Sequence, residues 1–180
     1  MTGRVSMRHI GECCCFTGHR PKFFTFGSNE DHPDCIGIKN FIRENCERLI
    51  VEKCVTHFIS GGALGVDTWA MEEVLSLKGK YPRITLECAL PYPEMPDRFH
   101  HKDRKRHDAI MAKCDVKTIV SPTYTGRTCL DKRNEYMVDH AGYLIAVWLG
   151  IMTGTGRTVE YAKKIGREVI CHRPSHRCPK

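Results

Sequence analysis

The chain lacks any apolar run near the ~20 residues that a membrane-spanning helix needs, so a helical membrane protein is excluded. Its opening residues, Met1 to Ile10, lack the apolar centre of a secretory signal, and the expected location is the cytoplasm. No Cys-x-x-Cys pair occurs although cysteines number eleven, which removes the commonest zinc signature. That count is odd, and Cys13-Cys14-Cys15 lies in a predicted strand whose successive side chains face opposite ways. These cysteines read as reduced core thiols, and neither a metal nor another cofactor is expected. No internal repeat, low-complexity tract or linker divides the chain. Aromatic residues make up only 8%, which leaves few stacking platforms of the kind that single-strand binders add to a basic groove.

What is present suits one globular domain. The chain has 180 residues, 41% hydrophobic and 27% charged, enough for a sizeable core. Lys and Arg number 28 against 21 Asp and Glu, a net charge of +7. Much of the excess lies in Arg98 to Lys113 and in Arg167 to Lys180. Such a balance suits a phosphate-bearing ligand or nucleic acid, and equally a solvated surface.

Strands alternate with helices. Gly11 to Phe16 reads as a strand, Thr17 to Pro33 as a loop and Asp34 to Lys53 as a helix. Strand Val55 to Ile59, helix Val66 to Leu77 and strand Ile84 to Leu90 follow. A charged helix over Asp97 to Lys113, strand Val116 to Val120 and helix Thr128 to His140 come next. Strand Tyr143 to Trp148, helix Thr158 to Ile165 and strand Glu168 to Cys171 complete the pattern. This order predicts an α/β domain with a mostly parallel sheet of about six strands and helices on both faces. Residues 1–10 are expected to form an extension, 11–172 the domain and 173–180 a mobile basic tail.

Three predicted strand-to-helix corners are rich in Gly, Thr and Arg. The first, Thr17-Gly18-His19-Arg20, offers a hydroxyl, an imidazole suited to acid–base work near neutral pH and a two-pronged phosphate grip. Ser60 to Asp67 carries Gly61, Gly62 and Gly65, which permit close backbone approach ahead of a helix N-terminus. There Asp67 is expected to meet a sugar hydroxyl or base amine, or to cap the helix. Gly154, Thr155, Gly156 and Thr158 suit a phosphate cradle, with Glu160 poised for a sugar hydroxyl or for the helix dipole. Arg133 and Asn134 supply charge and polarity from the preceding helix, where a salt-bridged surface is the alternative. His100, Asp103 and His107 share one helical face, but neighbouring Lys and Arg would repel a divalent cation. Cys171, His172, His176 and Cys178 in the tail read likewise, so no metal residues are assigned.

Together these turns resemble the SLOG superfamily and its YpsA-like branch. The matching pieces are Thr17 to Pro21, Ser60 to Asp67, Leu90-Pro91-Tyr92, Arg133 to Asp139 and Gly154 to Ala162. The resemblance implies a Rossmann-like fold binding a nucleotide-derived ligand, commonly as a dimer. Its relatives include LOG enzymes, which cleave the N-glycosidic bond of nucleoside 5′-monophosphates, and DprA-like binders of single-stranded DNA. Arg133, four residues before Met137, matches the LOG arginine. Aligning Thr158 with the LOG threonine puts Tyr161 at the glutamate position and Glu160 one residue early.

Three functions are therefore carried forward. In the first, a sensor or regulatory protein binds a nucleotide across the strand ends. Gly61, Gly62, Gly154 and Thr155 would contact phosphate, Arg20 and Arg133 would neutralise it, Asp67 would read sugar or base, and Tyr92 would stack. In the second, Glu160, Asp67 and His19 would hydrolyse a nucleotide's base–ribose bond. In the third, the basic surface with Phe23, Phe24 and Phe26 would bind single-stranded DNA.

Overall fold

A computed structural model describes residues 9–174. The expectations for residues 1–8, and for His176 and Cys178 in the tail, lie outside the described residues. Six strands form one all-parallel sheet: β1 (Cys13–Gly18), β2 (His57–Ser60), β3 (Thr85–Leu90), β4 (Val116–Ile119), β5 (Tyr143–Val147) and β6 (Glu168–His172). Their order is β4-β3-β2-β1-β5-β6. Cys15 pairs in register with Ile59 on one side and Leu144 on the other, so β1 is the central strand at which the winding reverses.

Five helices cover the sheet: α1 (Pro33–Lys53), α2 (Val66–Leu77), α3 (His101–Met111), α4 (Arg127–Asp139) and α5 (Gly154–Lys164). The period-2 alternation of β1 divides the core. Cys14 and Phe16 join Ile38 and Ile42 of α1 and Trp69 and Val74 of α2. Cys13 and Cys15 face Met137 and Val138 of α4 and Val159 and Ala162 of α5. This is the single Rossmann-like α/β domain that the alternating elements predict, with helices on both faces. Among the described residues every cysteine is a free thiol, seven of them buried. No described helix is long and apolar enough to cross a membrane.

Two boundaries differ by more than two residues from the sequence reading. The charged helix is broken: a 3-10 turn occupies Met95–Arg98, Phe99 and His100 are extended, and α3 begins only at His101. Pro96 favours the first turn of the short segment, and Phe99 turns inward to pack edge-on against the buried His107 ring at 5.5 Å. His107 therefore points into the core, while His100 stays exposed. Meanwhile α5 starts at Gly154, so the glycine-rich corner is helical and Glu160 falls in the second turn rather than the first. Glycine's low helix propensity argues against such a start. Close packing decides it: a Cβ at Gly156 would lie 2.7 Å from the Ile151 carbonyl oxygen and 3.2 Å from the Trp148 ring nitrogen.

A buried polar cluster ties α4 to the sheet. The Glu87 carboxylate accepts hydrogen bonds from Thr118 (2.7 Å) and from the Tyr136 hydroxyl on α4 (2.8 Å), and pairs with His57 at 2.9 Å. Burial alone would raise its pKa, but these donors win and hold it at about 2.

Candidate functional site

In open α/β sheets the crevice for ligands forms beyond the strand carboxyl ends where the winding direction reverses. Here that point lies between β1 and β5. A cleft of about 640 Å³ opens there, lined by the end of β1, the loop after it, the first residues of α4 and α5, and Asp67 and Arg133. Its size falls in the usual range for small-molecule sites.

From the first corner, Thr17, Gly18, His19 and Arg20 all line the cleft, joined by Lys22 and Phe23. His19 is buried, and its Nε2 accepts a hydrogen bond from the Leu149 backbone N–H at 3.2 Å. Burial lowers its pKa to about 4. The imidazole is therefore neutral at pH 7 with its proton on Nδ1, and Nε2 is already engaged. Its observed role is to latch the loop after β1 to the loop after β5, which argues against the proton-carrier role expected from sequence.

The second corner works from behind. Gly61, Gly62 and Gly65 do not line the cleft, whereas Asp67 and Ala63 do. The Asp67 carboxylate accepts from the Ala63 N–H at 3.3 Å and stands 4.0 Å from the Arg133 guanidinium. Burial raises the Asp67 pKa, and Arg133 and Arg20 partly offset that rise. Arg133 is itself buried, and burial lowers its pKa against the pull of Asp67. It donates to the Gly61 carbonyl, and its Nε donates to Asn134 Oδ1 at 2.9 Å. Arg133 therefore faces inward and takes no part in the salt-bridged surface considered for this stretch of α4.

At the third corner, Thr153, Gly154 and Thr155 line the cleft at the start of α5. Gly156 packs behind it, and the Thr158 hydroxyl is spent on the Gly154 carbonyl at 2.8 Å. Glu160 is exposed, pairs with Lys163 at 3.2 Å and does not line the cleft. The earlier helix start turns it away from the catalytic position expected of it.

Two aromatic expectations also change. Tyr92 is 3% exposed and sits beneath Tyr124, with ring centres 5.0 Å apart. Tyr124, 47% exposed and lining the cleft, holds the place the sequence assigned to Tyr92, with Arg98 stacked on it at 4.2 Å. Of the three phenylalanines, Phe24 and Phe26 stack on each other 5.0 Å apart and pack on Trp69, which leaves Phe23 at the cleft.

The sequence reading missed Lys22, Tyr124, Arg127, Asp131, Met152 and Arg157, all of which line the cleft. One signal for two of them was available: Thr-Gly-Arg-Thr occurs at 125–128 and again at 155–158. Five cations (Arg20, Lys22, Arg127, Arg133 and Arg157) face two anions (Asp67 and Asp131) in the lining. Arg157 pairs with Asp131 at 3.0 Å and Arg133 with Asp67, while no described residue forms an ion pair with Arg20, Lys22 or Arg127. The cleft is an electropositive pocket with aromatic residues at its rim. Among the described residues no group of three metal-ligating side chains occurs.

Comparison with known proteins places this architecture. The chain is 33% identical over 145 residues to the uncharacterized SPbeta prophage-derived protein YoqJ of Bacillus subtilis (strain 168), covering 74% of this chain and 84% of that one. It is 29% identical over 153 residues to a UPF0398 protein of Bacillus thuringiensis (strain Al Hakam), 83% of this chain and 82% of that one. A 33% match over 100 residues to a UPF0398 protein of Halalkalibacterium halodurans spans 55% of this chain and about half, 53%, of that relative. Among solved structures, DNA processing protein A (DprA) from Streptococcus pneumoniae superposes with a TM-score of 0.59 at 20% identity. That match covers 88% of this chain and 49% of that one. DprA from Helicobacter pylori, described for its single-stranded DNA binding mode, gives 0.58 at 15% identity, covering 88% and 64%. At such identities the likeness is one of fold. The family model of the YspA SLOG proteins matches residues 14–158, from β1 to the middle of α5, and the chain belongs to that family.

Proposed function

We propose that this protein binds a nucleotide or nucleotide-derived ligand in the β1–β5 cleft and acts as a sensor or regulatory binding protein. One observation carries the reading: three corners distant in sequence meet in one crevice whose cations outnumber its anions. Phosphate would lie against the α5 N-terminus, where backbone N–H groups and the helix dipole favour an anion. Arg20 would reach it from the loop after β1, and Phe23 or Tyr124 would stack on the base. Asp67 would meet a sugar hydroxyl or base amine while its pairing with Arg133 limits repulsion of the phosphate.

Binding is favoured over hydrolysis because, among the described residues, Asp131 is the one other carboxylate that lines the cleft with Asp67. Asp131 is paired with Arg157, Glu160 lies outside, and His19 has its Nε2 occupied. Single-stranded DNA remains the competing ligand class.

Thermal-shift measurements against nucleoside mono-, di- and triphosphates, ADP-ribose, NAD and an oligonucleotide test the reading. A nucleotide at a hundredfold excess over its dissociation constant should stabilise the fold by about 2.7 kcal/mol, and Arg20→Ala, by weakening binding at least tenfold, should cut that to about 1.4 kcal/mol or less at the same concentration. Stabilisation by the oligonucleotide alone would replace the reading with nucleic-acid binding. Release of free base from any monophosphate would restore the hydrolase. Size-exclusion of the same samples reads the homodimer that the family resemblance implies.

A further inference from the structure

We infer that His107 is an acid-sensitive brace: while neutral it holds the glycine corner after β2 in its observed form, and a second proton on the ring releases that corner. Its bearing on the cleft rests on the proposed nucleotide reading, because the corner carries Ala63 and Asp67 into the lining.

His107 belongs to α3, does not line the cleft and is 4% exposed. Neither ring nitrogen has a hydrogen-bond partner among the described residues. Buried polar atoms are nearly always paired, so for filling space alone a leucine would serve better. The ring presses on the corner. Its Nε2 lies 3.3 Å from the point where a Cβ on Gly62 would stand, with Cys88 Sγ 2.8 Å from that point and Leu90 Cδ2 3.3 Å. Gly62 is buried and has φ +66°. Its neighbour Gly61 carries Arg133 on its carbonyl. On its other side the Ala63 N–H donates to Asp67, and the Ala63 carbonyl accepts from the Thr68 N–H and hydroxyl at 3.1 and 2.9 Å. The imidazole thus backs the turn that seats Asp67 and Arg133.

The surroundings decide what a proton does there. Neutral groups from three elements face the ring: Gly62 from the loop after β2, Cys88 and Leu90 from β3, and Phe99 from the segment before α3. Burial keeps the Cys88 thiol protonated. Glu72 of α2 is held by Arg106, and Asp97 by Arg104. Asp108, next to His107 on α3, stands 3.7 Å from Nδ1, beyond hydrogen-bond reach, and accepts from Arg104 Nε at 2.9 Å. Burial lowers the pKa of the ring; Asp108 resists the drop and Arg104 adds to it. An imidazolium therefore finds no acceptor in this pocket and gains by turning toward water and the exposed Asp108 carboxylate. Turning withdraws Nε2 from Gly62, and a corner with glycine at 61, 62 and 65 has the backbone freedom to follow. The closed corner is favoured above the ordinary histidine value near 6.5 and is lost as pH falls below it.

Proton NMR of the histidine rings, assigned with His107→Leu and followed with the amide signals of residues 61–68 from pH 8 to pH 5, tests the brace. His19, held at about 4, stays neutral over this range. The His107 ring should titrate below 6.5, and the corner amides should shift with the same midpoint. In His107→Leu those amides should hold still, and the melting temperature at pH 7 should equal or exceed the parent's, because two unmet polar atoms are gone. NAD and ADP-ribose, whose phosphates keep the same charge across this range, should lower the midpoint by at least about 0.5 pH unit, a threefold linkage, since ligand and proton favour opposite states of the corner. A ring that titrates while the corner amides stay put would overturn the brace. So would an amide response that survives His107→Leu, or a ring that does not titrate above pH 5. A midpoint unmoved by bound NAD or ADP-ribose would overturn the regulation of the cleft and leave the nucleotide reading intact. Failure of both to bind at pH 8 would take away the coupling to ligand with the reading beneath it, and the ring and amide titrations would still decide the brace.

Discussion

The guanidinium of Arg133 rests on the Gly61 carbonyl, in the space that a side chain at position 61 would need. A Cβ there would lie 2.0 Å from Arg133 Nη1 and 2.7 Å from Asp67 Oδ2. The glycine after β2 therefore contributes by making room for an arginine from α4 rather than by touching a ligand. Gly61→Ala should push Arg133 off its perch at a cost of about 1 kcal/mol, the lower end for overpacking a buried site. Nucleotide affinity should fall at the same time. A structure of the variant with Arg133 unmoved would refute the account.

Removing the arginine is a harsher change. Asp67 would be left buried without its cation, and breaking a buried pair costs about 3–5 kcal/mol. Arg133→Met should lower stability by that order in urea unfolding, and adding Asp67→Asn should recover a good part of it. Simple additivity of the two substitutions would mean that the 4.0 Å pair is not coupled.

Acid should loosen the fold in two windows. His19 is held at about 4 by burial, and burial also lowers His107 and His172. The unfolded chain therefore binds these protons first. The stability is fully present above the ordinary histidine value near 6.5 and is lost as pH falls from there toward 4. Glu30 and Glu87 stay charged down to about 2. For both, burial pushes upward, but Arg106 and Lys39 on Glu30, and His57, Thr118 and Tyr136 on Glu87, outweigh it. Their contribution is present above the ordinary glutamate value near 4.3 and disappears as pH falls toward 2. Chemical denaturation at pH 7, 5 and 3 should show both slopes. His19→Gln should flatten only the upper one; an unchanged upper slope would count against the His19–Leu149 latch.

Glu160 and Arg20 should behave in opposite ways. Glu160→Gln touches an exposed side chain whose one ion-pair partner among the described residues is Lys163, so stability should change by less than about 0.5 kcal/mol and nucleotide affinity should hold. Arg20→Ala should leave stability equally unmoved and weaken binding at least tenfold. A Glu160→Gln protein that lost ligand would mean that the exposed face of α5 belongs to the site.

Arg106 clamps the loop that carries the first corner. It bridges Glu30 in that loop at 2.6 Å and Glu72 on α2 at 2.6 Å. All three side chains are about a third exposed, so solvent screening limits the bridge to about 1 kcal/mol. Arg106→Met should raise proteolytic cleavage within residues 20–32 while melting shifts by only a few degrees. Higher salt should reproduce the effect in the unmodified protein. Unaltered cleavage under both conditions would show that the aromatic stack on Trp69 suffices.

Much of the architecture was legible from local pattern. Apolar runs such as Leu144 to Val147 read as buried strands because a parallel sheet is covered on both faces. Helix α1 was legible because Ile38, Ile42 and Leu49 recur at helical spacing and become its buried side. The start of α5 was misread because glycine's propensity argued for a loop, whereas the tight approach of Gly156 to Ile151 is a tertiary demand. Tyr92 is visible as a candidate through its motif, whereas nothing in the neighbourhood of Tyr124 signals that its ring would cover Tyr92 at the cleft.

The amino-acid order by itself determined the alternation of strands and helices, and it placed three glycine-bearing corners at the same end of the strands. Side-chain periodicity and turn chemistry act over a few neighbouring residues, which is why a linear reading reaches them. Only the tertiary structure decided that His19 would latch a loop, that Arg133 would turn inward onto Gly61, and that Glu160 would face away. Those outcomes depend on distances between elements that only sheet pairing and helix packing bring together, and no local spacing encodes such distances.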